Sequence, residues 1–328
     1  MTIRALSLPK DLVPLEDMLV RTFQYPDNPE WGIQADEEED IAREIKTLRR
    51  LWPVIRILQT VIPSLRDLMR GFVWEEDGQI GAVVMVQRRG KTNTWGVGIV
   101  GVLPEFRRRG LARKLLTRAL DDLRQRGARH INLGVISKNI PAYGLYKSLG
   151  FEHYSSLIDF DHHPEQTPAA IACPRDYDEA TISLLDWKPR YELERRITPE
   201  DINRYEPVEI GGYRSPLVLR CLNPVMNRLK KTEEKRFVYK HRGVIVGLLR
   251  HSTSRTGKGT SSIRVQLDPA HPELASYVLA KGMRAVMAIN PSLRIHCTAP
   301  TWMTSVVEAA QEYGFSERVR YHALALLP

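Results

Sequence analysis

Residues 97–116 read VGIVGVLPEFRRRGLARKLL, and the order of residue types in this stretch decides the fold. An apolar strand ends at Pro104, three arginines follow, and a helix begins at Gly110. The first turn of a helix offers unpaired backbone amides and the positive end of the helix dipole, which together attract anions. Glycine lets the backbone approach a ligand closely, and arginine supplies counter-charge for phosphate. The stretch predicts a pyrophosphate-binding loop, with a basic turn before a surface helix as the alternative.

A second group of residues lies downstream of this stretch. The strand-like run Ile131–Ile136 leads to Asn139, to a short helix that contains Tyr146, and then to Gly150-Phe151. Together with Arg107-Arg108-Arg109-Gly110-Leu111-Ala112, this order resembles the signature of the GNAT superfamily of N-acetyltransferases, whose loop reads Gln/Arg-x-x-Gly-x-Gly/Ala. The close match covers residues 97–151 and a looser one covers residues 3–164. The resemblance implies a mixed α/β sheet that binds acetyl-CoA as co-substrate.

The resemblance also implies a role for each matching residue. The backbone of the strand at Val100, Gly101 and Val102 would pair with the pantetheine arm, beside a bulge that frees its hydrogen-bonding groups. Asn139 would hydrogen-bond the same arm, and Tyr146 would protonate the leaving thiolate as a general acid. The loop residues that would hold the pyrophosphate are Arg107, Arg108, Arg109, Gly110, Leu111, Ala112 and Arg113.

Two of these residues have alternatives. Asn139 precedes Ile140-Pro141 and is also a suitable helix N-cap, a role that can coexist with ligand binding because an amide both donates and accepts. Tyr143 lies one helical turn before Tyr146, although the spacing to Gly150-Phe151 favours Tyr146.

The sequence supplies no evident general base. Some members of the family carry a glutamate five residues before the asparagine, where this chain has Gly134. Glu105 is expected to form a salt bridge with the basic loop, and Glu75 and Glu76 to decorate a hairpin turn. An ordered water or a carboxylate from the other half of the chain is the alternative.

The remainder of the first half alternates helical and strand patterns, which indicates a mixed α/β sheet. Leu12, Leu15, Leu19 and Phe23, for example, recur at helical spacing. The predicted helices are Leu12–Phe23, Asp36–Leu51, Gly110–Arg126 and Pro141–Leu149, and the predicted strands are Gly71–Glu75, Gln79–Gln87, Thr94–Val102 and Ile131–Ile136.

The chain repeats itself at an offset of half its length. Leu149-Gly150-Phe151 precedes a strand-like run that ends at Pro164, and Tyr313-Gly314-Phe315 precedes one that ends at Pro328. On the basis of a weaker repeat, we interpret Leu193–Ile197 as a strand that matches the one near the N-terminus. We therefore predict two tandem GNAT domains. Their predicted limits are 1–165 for the domain with the acetyl-CoA site, 166–190 for a linker, and 191–328 for a degenerate GNAT-like domain.

The second half lacks the binding motif. After the strand Ser262–Leu267, the segment Asp268–Leu274 replaces the arginine loop, and its carboxylates repel phosphate. Ala310 stands where the first half has Tyr146. This domain is expected to wall the acceptor cleft, to form a dimer surface or to bind a ligand of its own. Residues considered as the lining of such a cleft are His296, Cys297, Trp302 and Met303.

The charge argues against nucleic acid as a partner. The 328 residues carry a net charge of +9, but residues 1–165 hold 24 basic and 22 acidic residues. Within that half, residues 97–138 hold 10 basic and 3 acidic residues, so the positive charge is concentrated where the phosphate loop is predicted. Such a local basic site suits a small polyanion. We predict neither a nucleic-acid partner nor a membrane segment.

Three widely spaced cysteines, Cys173, Cys221 and Cys297, predict reduced thiols in a cytoplasmic protein. No metal-ligand spacing is found, and no metal is expected. The sequence as a whole predicts an N-acetyltransferase that moves acetyl from acetyl-CoA to a primary amine by direct attack in a ternary complex. The alternative is a CoA-binding regulatory or interaction protein with little or no transferase activity. The expected acceptor is a small-molecule or peptide amine, and a homodimer is one expected assembly.

Overall fold

The computed structural model describes residues 1–32, 35–61, 66–67, 69–183, 185–214, 231–256 and 259–328, and only the backbone of residues 35–44 and 61. Its contacts divide the chain into two units. Unit 1 comprises Met1–His153 together with Ala323–Pro328, and unit 2 comprises Tyr154–His322.

Unit 1 contains a sheet of five strands in sequence order, with helices packed on it. Neighbouring strands are antiparallel, except that the fourth and fifth run parallel. The strands are β1 (Thr2–Ala5), β2 (Arg70–Glu76), β3 (Gln79–Arg88), β4 (Thr94–Val102) and β5 (His130–Ile136), and the helices are α1 (Leu12–Thr22), α2 (Ala35–Val61), α3 (Leu111–Gln125) and α4 (Ile140–Ser148).

Helix α3 illustrates how the sequence pattern becomes packing. Its apolar residues recur every three to four positions, so they occupy one face, and that face is buried against β2, β3 and β4. At the edge of this face, the charged groups of Lys114 and Arg118 lie over the rings of Trp74 and Phe72, each 5.3 Å from the ring centroid. The buried residues of α3 are Leu111, Leu115, Leu116, Ala119, Leu120 and Leu123.

Unit 2 repeats the arrangement, with strands in the order β6-β11-β10-β9-β8-β7. Strands β10 and β11 are parallel, and the other pairings are antiparallel. The strands are β6 (Glu152–His162), β7 (Tyr177–Ile182), β8 (Thr232–His241), β9 (Val244–Ser254), β10 (Ser261–Leu267), β11 (Ile295–Pro300) and β12 (Ser316–Leu326). The helices are α5 (Lys188–Ile197), α6 (Glu200–Tyr205), α7 (Ile210–Tyr213), α8 (Leu274–Met287) and α9 (Thr304–Glu312).

Strands β6 and β12 do not follow the halves of the sequence. From Tyr154 onwards β6 belongs to unit 2, where Ile158 and Phe160 enter the hydrophobic core. The last residues of β12 belong to unit 1, where Leu324 and Leu326 pack into the core. These units therefore differ from the limits 1–165 and 191–328, which stay a prediction. The segment expected to be a linker, 166–190, contains β7.

The internal repeat is confirmed in the positions of the elements. Helix α9 and strand β12 begin and end 164 residues after α4 and β6. The glycine that precedes each of these strands has a positive φ, +91° at Gly150 and +79° at Gly314, as a left-handed helix C-cap requires.

The predicted elements of unit 1 are confirmed except for the end of α2, and one interpretation in unit 2 is wrong. Helix α2 continues through Pro53 to Val61, beyond the predicted end at Leu51. A proline within a long helix removes one backbone hydrogen bond and bends the helix without necessarily ending it. The interpretation of Leu193–Ile197 as a strand is wrong, because these residues end α5, where Pro189, Leu193 and Ile197 are buried on one face at a spacing of four.

Unit 2 contains a buried histidine, His251, and from its burial we predict that the folded protein loses stability in acid. His251 on β9 is 1% exposed, its ring stacks on that of Phe237 at 6.0 Å, and neither ring nitrogen has a hydrogen-bond partner among the described residues. Desolvation by burial, followed by the charge of Lys235, lowers the pKa of His251. The unfolded chain therefore binds the proton more readily than the folded chain, and stability is lost as the pH falls below the unfolded pKa of about 6.5.

We expect the melting temperature to fall between pH 7.5 and pH 5.5, and to fall less in His251→Phe. A loss of about 1 kcal/mol corresponds to about 2–4 °C for a domain of this size. Calorimetry at several pH values measures the slope, with His163→Gln, an exposed histidine, as the matched control. An equal slope in wild type and His251→Phe would show that other groups carry the acid sensitivity.

Candidate functional site

The site begins where two parallel strands separate. Strands β4 and β5 pair from Thr94 opposite His130 to Val97 opposite Leu133, and no pair follows although both strands continue. At the same level the pairing of β3 with β4 shifts register, which leaves Gly98 as a bulged residue. A bulge bends its strand and frees backbone groups from the ladder. The C-terminal part of β4 therefore has peptide groups available on the side of β5.

The N-terminus of α3 faces the opening between the strands. Gly110 is the N-cap of α3 at φ +72°, and an added Cβ there would meet nothing within 4 Å. Arg108 is also in the left-handed region at φ +62°. The first intrahelical bond of α3 runs from the amide of Lys114 to the carbonyl oxygen of Gly110 at 3.1 Å, so the amides before it are not used by the helix. Free amides at the positive end of a helix dipole favour an anion.

A cavity of about 520 Å³ lies between β4, the N-terminus of α3 and helix α4. Most residues predicted for the acetyl-CoA site line it. They are Val100, Val102, Arg107, Arg108, Gly110, Leu111, Ala112, Arg113, Asn139 and Tyr146.

Two of the predicted residues do not line the cavity. Gly101 faces α1, where an added Cβ would lie 2.7 Å from Cγ2 of Thr22. Successive residues of a strand point to opposite faces, so Gly101 points away from the face that Val100 and Val102 present. Arg109 forms a salt bridge with Glu76 at 2.9 Å, and its guanidinium lies 5.2 Å from the ring centroid of Phe106.

The three arginines of the loop consequently have different environments. Arg107 donates to the carbonyl oxygen of Thr22 at 2.9 Å and to that of Gln24 at 3.2 Å, and its guanidinium lies 4.3 Å from the ring centroid of Tyr25. This side chain fixes the segment that follows α1. Within the described chain, Arg108 has no hydrogen bond or ion pair, so it is the arginine of the three that is available to an anion in the cavity.

Asn139 caps helix α4. Its Oδ1 accepts from the backbone amide of Ala142 at 3.1 Å, which is the N-cap role weighed from the sequence. Among the described residues, its Nδ2 donates to no other group, and Asn139 lines the cavity. The cap therefore fixes the side chain with a donor left for a ligand.

Tyr146 is held inside the unit with its ring against that of Phe151, at a centroid distance of 6.1 Å. It is 7% exposed and lines the cavity, whereas the competing Tyr143 contacts His153 and is not among the lining residues. Burial, together with the nearby Tyr25, raises the pKa of the Tyr146 phenol. The phenol is therefore protonated at neutral pH and able to donate.

An aromatic segment after α1 forms another wall of the cavity, and the sequence did not single out its residues. Tyr25 and Trp31 both line the cavity, and their rings meet edge to face at 5.8 Å. The signal in the sequence that could have identified this wall is the pair of aromatic residues within four positions of a Pro-Asp-Asn-Pro turn.

The carboxylates considered from the sequence are engaged elsewhere. Glu105 forms a salt bridge with Arg21 at 2.9 Å rather than with the basic loop, and Glu76 pairs with Arg109. Of the described residues that line the cavity, Asp27 is the carboxylate, and it is exposed. At Gly134 an added Cβ would meet nothing within 4 Å, so the position of the missing glutamate is open space.

In unit 2 the counterparts of these residues have a different character. Ala310 is fully buried in the core, and so is Cys297, while Met303 is 5% exposed. His296 forms an ion pair with Asp161 through its Nδ1. The four residues considered as a cleft lining therefore do not converge on a cavity: Cys297 and Met303 are core residues, and Trp302 packs against the core.

The comparisons with known proteins agree with the fold. Residues 22–151 match the model of the Acetyltransferase (GNAT) family. A tandem GNAT protein from the clavulanic acid biosynthesis pathway superposes over 99% of this chain and 98% of its own, with a TM-score of 0.62 at 14% identity. A GCN5-related N-acetyltransferase from Sphaerobacter thermophilus covers 99% of this chain and 95% of its own, with a TM-score of 0.66 at 15% identity. The chain has the fold of a tandem GNAT protein, and its residues 22–151 match the model of the GNAT acetyltransferase family.

Two curated relatives match over shorter stretches. Mycothiol acetyltransferase of Thermobifida fusca is 38% identical over 99 residues, which are 29% of this chain and 28% of the relative. N-alpha-acetyltransferase 30 of Schizosaccharomyces pombe is 35% identical over 88 residues, which are 26% of this chain and 59% of the relative. The chain therefore spans less than two thirds of the length of either relative.

Three further observations concern the described residues only. No group of three or more His, Cys, Asp or Glu in them is placed to hold a metal ion. None of their helices combines the length and the apolar character needed to cross a membrane. Cys173 and Cys297 are not in disulfides, and Cys221 lies outside the described residues.

Proposed function

We propose that unit 1 is an N-acetyltransferase that moves acetyl from acetyl-CoA to a primary amine. One observation carries the proposal: the separation of β4 from β5 at Gly98 opens a cavity that also contains the N-terminus of α3 and the buried phenol of Tyr146. An anion-binding helix end, free strand backbone and a protonated acid are the three elements that a nucleotide thioester needs from its enzyme.

The phosphates of the co-substrate are assigned to the start of α3. Its unpaired amides and positive dipole end favour negative charge, and Arg108 and Arg113 add counter-charge at the wall of the cavity. Arg113 is held by a hydrogen bond to Oγ of Ser148 at 2.7 Å, which orders its side chain beside α4. The pantetheine arm is assigned to the backbone of Val100 and Val102 and to Nδ2 of Asn139.

The reaction assigned to this site is direct attack of a neutral amine on the thioester carbonyl. Strand amides beyond the bulge polarise the carbonyl, and holding both reactants in one cavity supplies proximity. Tyr146 donates its phenolic proton to the leaving sulfur. Because Asp27 is exposed and Gly134 offers no carboxylate, the proton of an ammonium acceptor is assigned to solvent at the mouth of the cavity.

One relative is named an N-alpha-acetyltransferase, and this name supports a primary amine as the acceptor class. The acceptor of this chain and a homodimeric assembly stay predictions. A second candidate function, a CoA-binding regulatory protein, is favoured by one observation, the absence of a buried carboxylate among the described residues that line the cavity.

Two measurements on the full chain test the proposal. Acetyl-CoA is expected to raise the melting temperature, because a ligand that binds the folded state alone stabilises it. A panel of primary amines is expected to release free thiol from acetyl-CoA with at least one acceptor. A thermal shift without thiol release from any amine would favour the regulatory protein, and the absence of both would refute acetyl-CoA as the ligand. Mass spectrometry of co-purified CoA species tests whether the protein carries an acyl group longer than acetyl.

A further inference from the structure

Strand β10 of unit 2 carries an arginine where β4 of unit 1 carries the bulged glycine. In unit 1 the parallel pairing ends with Val97 opposite Leu133, and in unit 2 it ends with Ile263 opposite Cys297, which lies 164 residues after Leu133. The next residue of the strand is Gly98 in unit 1 and Arg264 in unit 2. Unit 2 has thus kept the separation of its parallel strands while replacing the residue at the opening.

Arg264 belongs to a group of four arginines around a small cavity of about 70 Å³. The cavity lies within unit 2, and the lining side chains with charge are Arg190, Arg236, Arg250, Arg264 and Asp186. A volume of this size accommodates about two water-sized groups, so it suits the head group of a ligand rather than a whole nucleotide.

Three of these arginines have counter-charges. Arg236 and Arg250 share Glu234, each at 2.8 Å, and that carboxylate is only 7% exposed. Arg190 pairs with Glu194 at 2.7 Å.

The fourth arginine, Arg264, forms no ion pair with any described residue, and the carboxylate that acts on its charge is Glu194, which is already paired with Arg190. Within the part of the chain that the structure describes, Arg264 has no hydrogen bond or ion pair, and its side chain is accessible to solvent. Asp186, the acid that lines the cavity, accepts from the backbone amide of Lys188 at 3.1 Å. Desolvation, and then the charges of Arg190 and Arg250, lower the pKa of Arg264, while the charge of Glu194 acts in the opposite direction.

We propose that this cavity binds an oxyanion, the carboxylate or phosphate group of a small ligand, with Arg264 as its principal contact. The planar guanidinium presents paired donors that match either group in a bidentate manner, and none of the described residues forms an ion pair with it. Arg250 and Arg190 reinforce the positive potential while their own carboxylates keep them in position. The second unit is then a ligand-binding domain with its own specificity, independent of whether unit 1 catalyses acetyl transfer.

Isothermal titration of the full chain tests the site with inorganic phosphate and with acetate, each at constant ionic strength. We expect millimolar or tighter binding of at least one anion, and a loss of about tenfold in Arg264→Gln, because a charge-assisted bidentate contact disappears. The anion that binds more tightly identifies the head group. Arg195→Gln is the matched control, since Arg195 is an exposed residue of α5 that does not line the cavity.

Two further variants keep the result interpretable. Ala112→Glu alters the anion-binding loop of unit 1, so binding that persists in Ala112→Glu and is lost in Arg264→Gln belongs to unit 2. Arg264→Lys keeps the charge but not the paired donors, and intermediate affinity is expected. Circular dichroism verifies folding of each variant. Equal affinity in wild type and Arg264→Gln, or no binding of either anion, would overturn the proposal.

Discussion

Phenylalanine at position 146 is expected to lower the turnover of acetyl-CoA by about 10²-fold, within the range that general acids contribute. The substitution removes the phenolic hydroxyl and keeps the ring that packs 6.1 Å from Phe151, so the fold should be retained. The hydroxyl has no protein partner among the described residues, and its removal leaves no buried polar group unsatisfied. Affinity for acetyl-CoA should change little, because the proposal assigns the phosphates to the start of α3.

Steady-state thiol release and titration with acetyl-CoA measure the two quantities separately. Tyr143→Phe is the matched control, because Tyr143 lies on the same helix and contacts His153 rather than the cavity. If turnover of Tyr146→Phe equals that of the wild type, the phenol is not the acid, and the leaving thiolate must be protonated by solvent.

Glutamate at position 112 is expected to weaken acetyl-CoA binding by about 10²-fold or more, since a like charge near 4 Å costs several kcal/mol even in a partly solvated site. Ala112 is the second residue of α3 and lines the cavity, where the small side chain leaves room for the phosphates. The new carboxylate would fill that space and oppose the positive end of the helix.

The thermal shift caused by acetyl-CoA measures this effect. Thr117→Glu adds the same charge at an exposed position of the same helix that does not line the cavity, and it should keep the full shift. An undiminished shift in Ala112→Glu would mean that the phosphates bind away from α3, and the assignment of the cavity would then be wrong.

The repeat and the elements of unit 1 could be predicted because they rest on local signals. Gly150 and Gly314 stop helices through positive φ, and the apolar spacing in α3 requires one buried face. The units to which the residues of β6 and β12 belong could not be predicted. Alternating apolar residues such as Ile158 and Phe160 predict a strand but not which sheet it joins, because pairing is a long-range choice among several compatible edges.

The residues of the candidate site could be predicted from the sequence, but the directions of their side chains could not. Arg107, Arg108 and Arg109 are equivalent in the sequence, yet one holds the segment after α1, one is unpaired at the cavity and one pairs with Glu76. Consecutive side chains leave a turn in different directions, and their partners are distant in sequence. Arg264 could not be found for the same reason, since its neighbours come from separate strands and a helix.

The division of β6 and β12 between the two units has a consequence for truncated forms of the gene. A fragment that ends at residue 165 would expose Ile158 and Phe160 to water and would lack Leu324 and Leu326, so it would encode neither unit in full. Deleting the second half would therefore damage the first. Unit 2 is then needed for the folding of unit 1 whether or not it binds phosphate through a loop of its own, so its small arginine-lined cavity is free to change toward another ligand.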